Sequence, residues 1–318
     1  MAPYHTTNPL PFPYTFIHRR HSRPVPSFTP YPLQHATMDQ FILFGDSITQ
    51  ASFNQDQGFA FGAALTDIYA RKLDVVNRGL SGYNSTQAFQ ALPLIIPDPE
   101  HTRVRFLAIS FGANDARLPN TPGGPDQSVP LADFVQNLRV MVKHPVVQQH
   151  QGVRIVLIAT PPIDERTCLR CDQEKYPAMG RVLRRTAANT ARYAQAVKAL
   201  GAELALPVLD IHGAMLARAG YNSSMADTPP GVEDQREGSH ASSAVVGSLE
   251  APSSAALQSF LHDGLHFTGE GYRLLYGELM TLIEDAFPDQ MPTRLPFILP
   301  AWDDATAWGG GAENSSIS

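Results

Sequence analysis

The feature that most constrains the fold of this 318-residue chain is an alternation of short apolar, β-rich runs with longer segments of helical periodicity. Residues 41–44 read as a first strand and 60–72 follow with helical spacing. Residues 75–76 continue as a short strand, and 85–92 read as a helix stopped by Pro93. A third strand covers 104–109 and a helix covers Leu131–Lys143. A fourth strand at 153–160 is closed off by Pro161 and Pro162. A long Ala- and Arg-rich helix spans about 178–200, a fifth strand spans 207–209, and a last amphipathic helix spans 271–285. Strands that are apolar on both faces and alternate with helices argue a parallel sheet covered on both sides. The expected fold class is therefore α/β: a three-layer sandwich around a central, mostly parallel, five-stranded sheet. In such open sheets the reactive groups collect at the carboxyl ends of the strands.

Two segments stand outside this pattern. Residues 1–37 hold eight prolines, three arginines, four histidines and no acidic residue. Pro11 and Pro13 break the one apolar stretch that could serve as a secretory signal. The acid-poor, Arg-containing composition fits a mitochondrial presequence, but the proline density opposes the amphipathic helix such a sequence needs. The preferred reading is a disordered extension, with Met38 as an alternative start directly before the first strand. Between about 221 and 259 the composition shifts to Ser, Ala, Gly, Pro and acidic residues with little periodicity. A loop of that length is a disordered insertion or a lid. The expected organisation is thus a disordered 1–37 extension, a 38–302 folded domain carrying the insertion, and a disordered 303–318 tail.

Bulk chemistry excludes several function classes. A formal charge of -6 gives no basic footprint for nucleic acid and no reason to expect an anionic membrane surface as partner. No apolar run approaches the roughly 20 residues of a membrane span, so stable membrane insertion is not expected. Cys168 and Cys171 are the two cysteines, too few for a disulfide framework. Their C-x-x-C spacing lacks a second pair to complete a zinc site and does not follow a strand as a thioredoxin-like motif would. Of three N-x-S/T sites, Asn84 falls beside a candidate catalytic residue, where a glycan would block substrate. The expected location is cytoplasmic, or mitochondrial if the extension is a presequence. A homodimer remains possible.

The residues that carry chemistry sit at strand ends. Ser47, in Gly45-Asp46-Ser47-Ile48-Thr49, follows the first strand. Gly45 permits a tight turn, and the N–H groups that follow can face a developing oxyanion. Ser and Asp are equally the residues that cap helices. Gly82, in Leu80-Ser81-Gly82-Tyr83, follows the second strand and could donate its N–H. Asn114, in Gly112-Ala113-Asn114-Asp115, follows the third; its amide can donate to an oxyanion, or it can be a turn residue with unusual backbone angles. Asp263 and His266, in His262-Asp263-Gly264-Leu265-His266-Phe267, precede the last helix. Their spacing of three puts both side chains on one face of a single turn, so the carboxylate could hold one imidazole nitrogen while the other takes a serine proton. His262 reads as a bystander. No G-x-S-x-G elbow is present, which excludes the α/β-hydrolase arrangement.

Taken together, GDSIT, the SGY glycine, GAND and DGLH resemble the four conserved blocks of SGNH (GDSL) hydrolases, in that family's order. The start at 38–49, Gly62-Ala63-Ala64-Leu65, Arg78-Gly79-Leu80-Ser81-Gly82-Tyr83, Ser128-Val129-Pro130-Leu131 and Asp263-Gly264-Leu265-His266-Phe267 further resemble the isoamyl acetate-hydrolysing esterase subfamily. The resemblance implies a flavodoxin-like SGNH fold and a serine esterase for short-chain acyl esters. It makes Ser47 the nucleophile, His266 the general base and Asp263 its orienting acid. The Ser47 and Gly82 N–H groups and the Asn114 side chain would form the oxyanion hole. No metal and no organic cofactor are implied, and the partner is a small-molecule ester. The alternatives are another SGNH activity (thioesterase, lipase or carbohydrate acetylesterase), an acyltransferase, or a catalytically silent binding protein on the same scaffold.

Overall fold

A computed structural model of the chain describes residues 37–221, 244–304 and 307–308. The chain divides into two units, Met1–Ala36 and Thr37–Ser318. The first, where the N-terminal extension was expected, lies outside the described residues. The second carries five strands, Gln40–Gly45 (β1), Asp74–Gly79 (β2), Val104–Ser110 (β3), Arg154–Ile158 (β4) and Val208–Leu209 (β5). All pair in parallel, in the order β2-β1-β3-β4-β5.

Alternation along the strands builds two cores. Phe41 and Leu43 of β1, Phe106 and Ala108 of β3, and Val156 and Ile158 of β4 face one side. There they meet the helices Phe61–Ile68, Ile211–Arg218, Ala255–Phe260 and Gly269–Ala286. Ile42 and Phe44, Leu107 and Ile109, and Ile155 and Leu157 face the other side. They pack under the helices Ser85–Ile95, Leu131–Lys143 and Ala187–Leu204. A two-residue side-chain period with both faces apolar is what a doubly covered parallel sheet requires.

The strand order reverses at β1. The chain goes from β1 to β2 on one side, then returns to place β3 on the other. In register, Gly45 at the end of β1 pairs with Gly79 of β2 and with Ser110 of β3. Three strand ends therefore meet at a topological switch point, where open α/β sheets hold their ligands. Gly45 has to be glycine: a Cβ there would lie 2.1 Å from Thr49 Oγ1 and 2.6 Å from the Ser110 carbonyl.

Several helix limits differ from the sequence expectation. Pro93 does not end its helix, which runs on to Ile95. In the last turn a proline forfeits only one helical hydrogen bond, and buried Leu92 and Ile96 keep that turn docked. The helix expected from 178 begins at Ala187, where the Thr186 hydroxyl accepts from Asn189 N; a 3₁₀ turn, Pro177–Met179, occupies the earlier residues. The helix Glu165–Lys175, which holds both cysteines, was not expected. Its sequence is almost wholly polar, so periodicity gives little sign of it; the cap by Asp164, whose carboxylate accepts from Thr167 N, starts it.

The insertion expected at 221–259 is in part a correction. Residues 222–243 lie outside the described residues, but 244–259 is ordered. The Glu165 carboxylate accepts from Leu249 N at 2.8 Å, and the Arg166 guanidinium donates to the Ser248 carbonyl at 2.7 Å. Ser254 then caps the helix Ala255–Phe260, which buries Leu257 completely. Polar side-chain bonds to backbone hold this segment, which is why it shows no hydrophobic period. After the last helix the chain is strapped to the surface, with Arg71 Nη2 donating to the Leu299 and Pro300 carbonyls. Of the tail expected at 303–318, residues 305–306 and 309–318 are outside the described residues.

Candidate active site

Each candidate residue hangs from one of the converging strand ends or from the turn before the last helix. Asp46, and not Ser47, caps the short helix Ser47–Gln50: its Oδ1 accepts from Ile48 N at 2.9 Å. The Ser47 hydroxyl is thereby left for another partner. Ser47 Oγ lies 2.8 Å from His266 Nε2, and His266 Nδ1 lies 2.6 Å from Asp263 Oδ2. The second oxygen, Asp263 Oδ1, accepts from the backbone N–H groups of Leu265 at 3.0 Å and His266 at 2.7 Å. The turn carrying both residues is closed by an antiparallel bridge between Leu261 and Phe267 and by His262 N donating to the His266 carbonyl. Serine, histidine and aspartate thus form one hydrogen-bonded chain across 219 residues of sequence.

The electrostatics of this chain follow from burial and partners. Burial alone would raise the Asp263 carboxyl. The hydrogen bond and charge of His266, with the two backbone N–H groups, outweigh it and hold Asp263 below the usual carboxylate range. An ionised carboxylate on Nδ1 fixes the tautomer whose Nε2 can accept a proton. Both side chains stay 29% exposed, so a substrate can reach them. At Asp46 and Asp115 the balance is opposite. Asp46 and Asp115 are deeply buried, and desolvation pushes each carboxyl up to about 6.

The candidate oxyanion donors lie on the neighbouring loops. Ser47 occupies the first turn of its helix, where N–H groups have no intrahelical acceptor. Gly82 has φ of +82°, a conformation side chains resist, and its carbonyl accepts from Gln127 Nε2 at 2.7 Å. Asn114 is buried, and its Nδ2 donates to the Tyr83 carbonyl at 2.9 Å. Asn114 lies in a turn, with Ala116 N donating to the Gly112 carbonyl, but without positive φ; Gly112 takes the left-handed position instead.

Sequence reasoning missed four residues that support this site. Asp46 caps the helix that carries Ser47. Tyr272, on the last helix, donates its hydroxyl to the Ile48 carbonyl at 2.6 Å, clamping that helix from the opposite end of the chain. Asp115 Oδ1 accepts from Ser85 N at 2.8 Å and anchors the loop after Gly82. Arg185 is buried against Asn114, with Nη2 3.1 Å from Asn114 Oδ1. Only Asp46 carried a visible signal, being a capping type just before a helix start.

Other candidates fall away or change. His262 is exposed, yet its ring lies nearly parallel to that of His266, with centroids 5.8 Å apart. Among the described residues His262, Asp263 and His266 bring ligand-type atoms within 4.8 Å of one another. Two of those three residues are already spent on the hydrogen-bonded chain to Ser47. Cys168 sits on the helix Glu165–Lys175, partly buried against the core, and burial raises its thiol, the opposite of a reactive cysteine. Asn84 uses its side chain in a capping box with Gln87. No helix among the described residues is long and apolar enough to cross a membrane.

The chain is similar to known proteins over most of its length. The family model described as GDSL-like Lipase/Acylhydrolase matches residues 43–274. The chain is 32% identical over 273 residues to the isoamyl acetate-hydrolyzing esterase of Saccharomyces cerevisiae, across 84% of this chain and 94% of that relative. It is 30% identical over 266 residues to the isoamyl acetate-hydrolyzing esterase 1 homolog of Homo sapiens, across 83% and 87% respectively. Among solved structures, a lipase/acylhydrolase from Enterococcus faecalis matches with a TM-score of 0.50 at 23% identity, over 83% of this chain and 100% of that one. At that identity the likeness is one of fold.

Proposed function

The chain belongs to the GDSL-like lipase/acylhydrolase family and is a carboxylic ester hydrolase; from that premise we propose that it cleaves short-chain acyl esters, acetates of small alcohols among them, through an acyl-enzyme on Ser47. The observation that carries the proposal is the continuous hydrogen-bonded chain Ser47 Oγ–His266 Nε2 at 2.8 Å and His266 Nδ1–Asp263 Oδ2 at 2.6 Å. The choice of acetate esters is supported by the relative from Saccharomyces cerevisiae, an isoamyl acetate-hydrolyzing esterase, and by its homolog from Homo sapiens.

The chemistry follows from the atoms. His266 Nε2 takes the Ser47 hydroxyl proton as Oγ bonds to the ester carbonyl carbon. The carbonyl oxygen becomes an oxyanion, which the Ser47 and Gly82 N–H groups and Asn114 Nδ2 stabilise by preorganised donation. Asp263, held ionised by its environment, stabilises the imidazolium formed on His266. Collapse breaks the carbon–alkoxy bond, and the departing alcohol takes its proton from His266. A water then attacks the acyl-enzyme, passing a proton to His266. The carboxylic acid leaves as Ser47 recovers its hydrogen.

The test is hydrolysis of p-nitrophenyl acetate, butyrate and octanoate, and of isoamyl acetate followed by gas chromatography, by the protein and its Ser47→Ala variant. Activity should favour acetate and fall by on the order of 10⁴-fold or more in the variant. A variant that keeps its rate would remove Ser47 from the reaction. A preference for octanoate would refute the short-chain assignment.

A further inference from the structure

We propose that Arg185 is a positioning residue for ester hydrolysis: its buried guanidinium locks the Asn114 amide with Nδ2 turned toward the oxyanion, and polarises that donor. The proposal rests on the reading of Asn114 as an oxyanion donor.

Two adjacent arginines precede the helix Ala187–Leu204 and behave differently. Arg184 pairs with the Asp172 carboxylate in the ordinary way. Arg185 turns inward and is 7% exposed. Its hydrogen-bond acceptors among the described residues are the Ala113 carbonyl, 2.9 Å from Nε, and Asn114 Oδ1, 3.1 Å from Nη2. Neither is a charged group. A buried cation with only neutral acceptors is costly to keep. Tying the loop after β3 to a helix would need only a neutral donor, so the charge itself calls for a purpose.

Asn114 supplies one. A guanidinium can only donate, and a backbone carbonyl can only accept. Asn114 lies between one of each, with Oδ1 on Arg185 and Nδ2 on the Tyr83 carbonyl at 2.9 Å. Rotating the amide by half a turn would set N–H against N–H at Arg185 and oxygen against oxygen at Tyr83. The orientation is therefore dictated by the partners. Nδ2 has two hydrogens, and the Tyr83 carbonyl takes one. The other remains for the oxyanion, next to Gly82, the residue before Tyr83. Without Arg185 the amide would lose one of the two partners that distinguish its ends.

The cation also acts through the amide it holds. A positive charge on Oδ1 draws electron density across the amide and makes Nδ2–H a stronger donor, as hydrogen bonds in a low-dielectric chain reinforce one another. Arg185 touches neither substrate nor reacting atoms, so its effect has to pass through Asn114.

A double-mutant cycle on p-nitrophenyl acetate tests this, using Arg185→Gln, Asn114→Ala and the pair, with thermal melts to check folding. Asn114→Ala should lower kcat by roughly 10²–10³-fold and Arg185→Gln by roughly 10–10²-fold. KM should stay within about threefold, since the interaction exists in the transition state. In the Asn114→Ala background, Arg185→Gln should cost less than about twofold more, because its route to the reaction is gone. Arg185→Lys keeps the charge but cannot span both acceptors; it should fall between wild type and Arg185→Gln, and it carries the cycle if the glutamine variant does not fold. Equal losses in both backgrounds would overturn the proposal, as would an unchanged kcat in both Arg185 variants. An unchanged kcat in Asn114→Ala would instead sink the reading of Asn114 itself, separately from anything Arg185 does.

Discussion

Replacing Asp263 by Asn tests the relay most sharply, because the structure dictates how the amide must sit. In the native turn Oδ1 accepts two backbone N–H groups, Leu265 at 3.0 Å and His266 at 2.7 Å, while Oδ2 accepts from His266 Nδ1 at 2.6 Å. An asparagine has one oxygen for these two duties. If it faces Nδ1, its NH2 confronts both backbone donors and orphans them, at about 1–3 kcal/mol each. If it faces the backbone, its NH2 confronts Nδ1, which must give up its proton. The second arrangement is thus favoured by about 2–6 kcal/mol, or roughly 30- to 10⁴-fold in population.

In that favoured arrangement the imidazole proton sits on Nε2, pointing at Ser47 Oγ 2.8 Å away. Nε2 then donates to the serine and cannot take its proton. The charge that stabilised the imidazolium is lost as well, so the combined fall in kcat should be on the order of 10³–10⁵. KM should stay close to wild type, because Asp263 is placed to orient the base, not to meet the ester. The assay is steady-state release of p-nitrophenol at pH 8, with a thermal melt to verify the fold. A folded Asp263→Asn enzyme within tenfold of wild-type kcat would refute the argument. It would mean that His266 chooses its tautomer without Asp263.

Two further predictions concern what lies under the site. Burial raises Asp115 from the ordinary carboxyl value to about 6, so the native state holds that proton more tightly than the unfolded chain does. The stability this provides is complete below about pH 4 and lost as pH rises through about 6, a change of at most about 3 kcal/mol. Asp115→Asn cannot ionise, so denaturant unfolding at pH 5 and pH 8 should show wild type losing ground to the variant at the higher pH; a difference independent of pH would contradict the burial argument. Tyr272→Phe removes the 2.6 Å bond to the Ile48 carbonyl. It should cost about 1–3 kcal/mol and lower Tm by roughly 2–10 °C, with kcat reduced less than tenfold; an unchanged Tm would show that the clamp carries no load.

What the sequence made legible was set by how local each physical signal is. β1, β3 and β4 announce themselves because a strand buried on both faces is an apolar run, whereas the edge strand β2 shows only Val75-Val76; Ser47, Gly82 and Asn114 lie two to four residues beyond the ends of β1, β2 and β3. The Asp263–His266 pair was legible because both partners sit in one turn. The helix Glu165–Lys175 was not, since its anchors are Glu165 Oε1 accepting from Ala187 N and Asp164 at its own cap. Arg185 was the least legible of all. In an Ala- and Arg-rich helical stretch an arginine reads as a solvent-facing charge, and its inward turn depends on a partner 71 residues away.

The ambiguity at Ser47 has a different lesson. A serine after a strand and before a helix can cap the helix or attack a substrate, and its hydroxyl cannot serve both. Sequence alone offered Ser and Asp as equivalent caps. The structure resolves this by chemistry: the carboxylate of Asp46 takes the cap, accepting from Ile48 N, and a hydroxyl one residue later is released to His266. Asp46 is buried to do so, at the cost of a raised carboxyl. Asp46 is therefore not a spectator beside Ser47. It takes over the local hydrogen bond that would otherwise occupy the Ser47 hydroxyl.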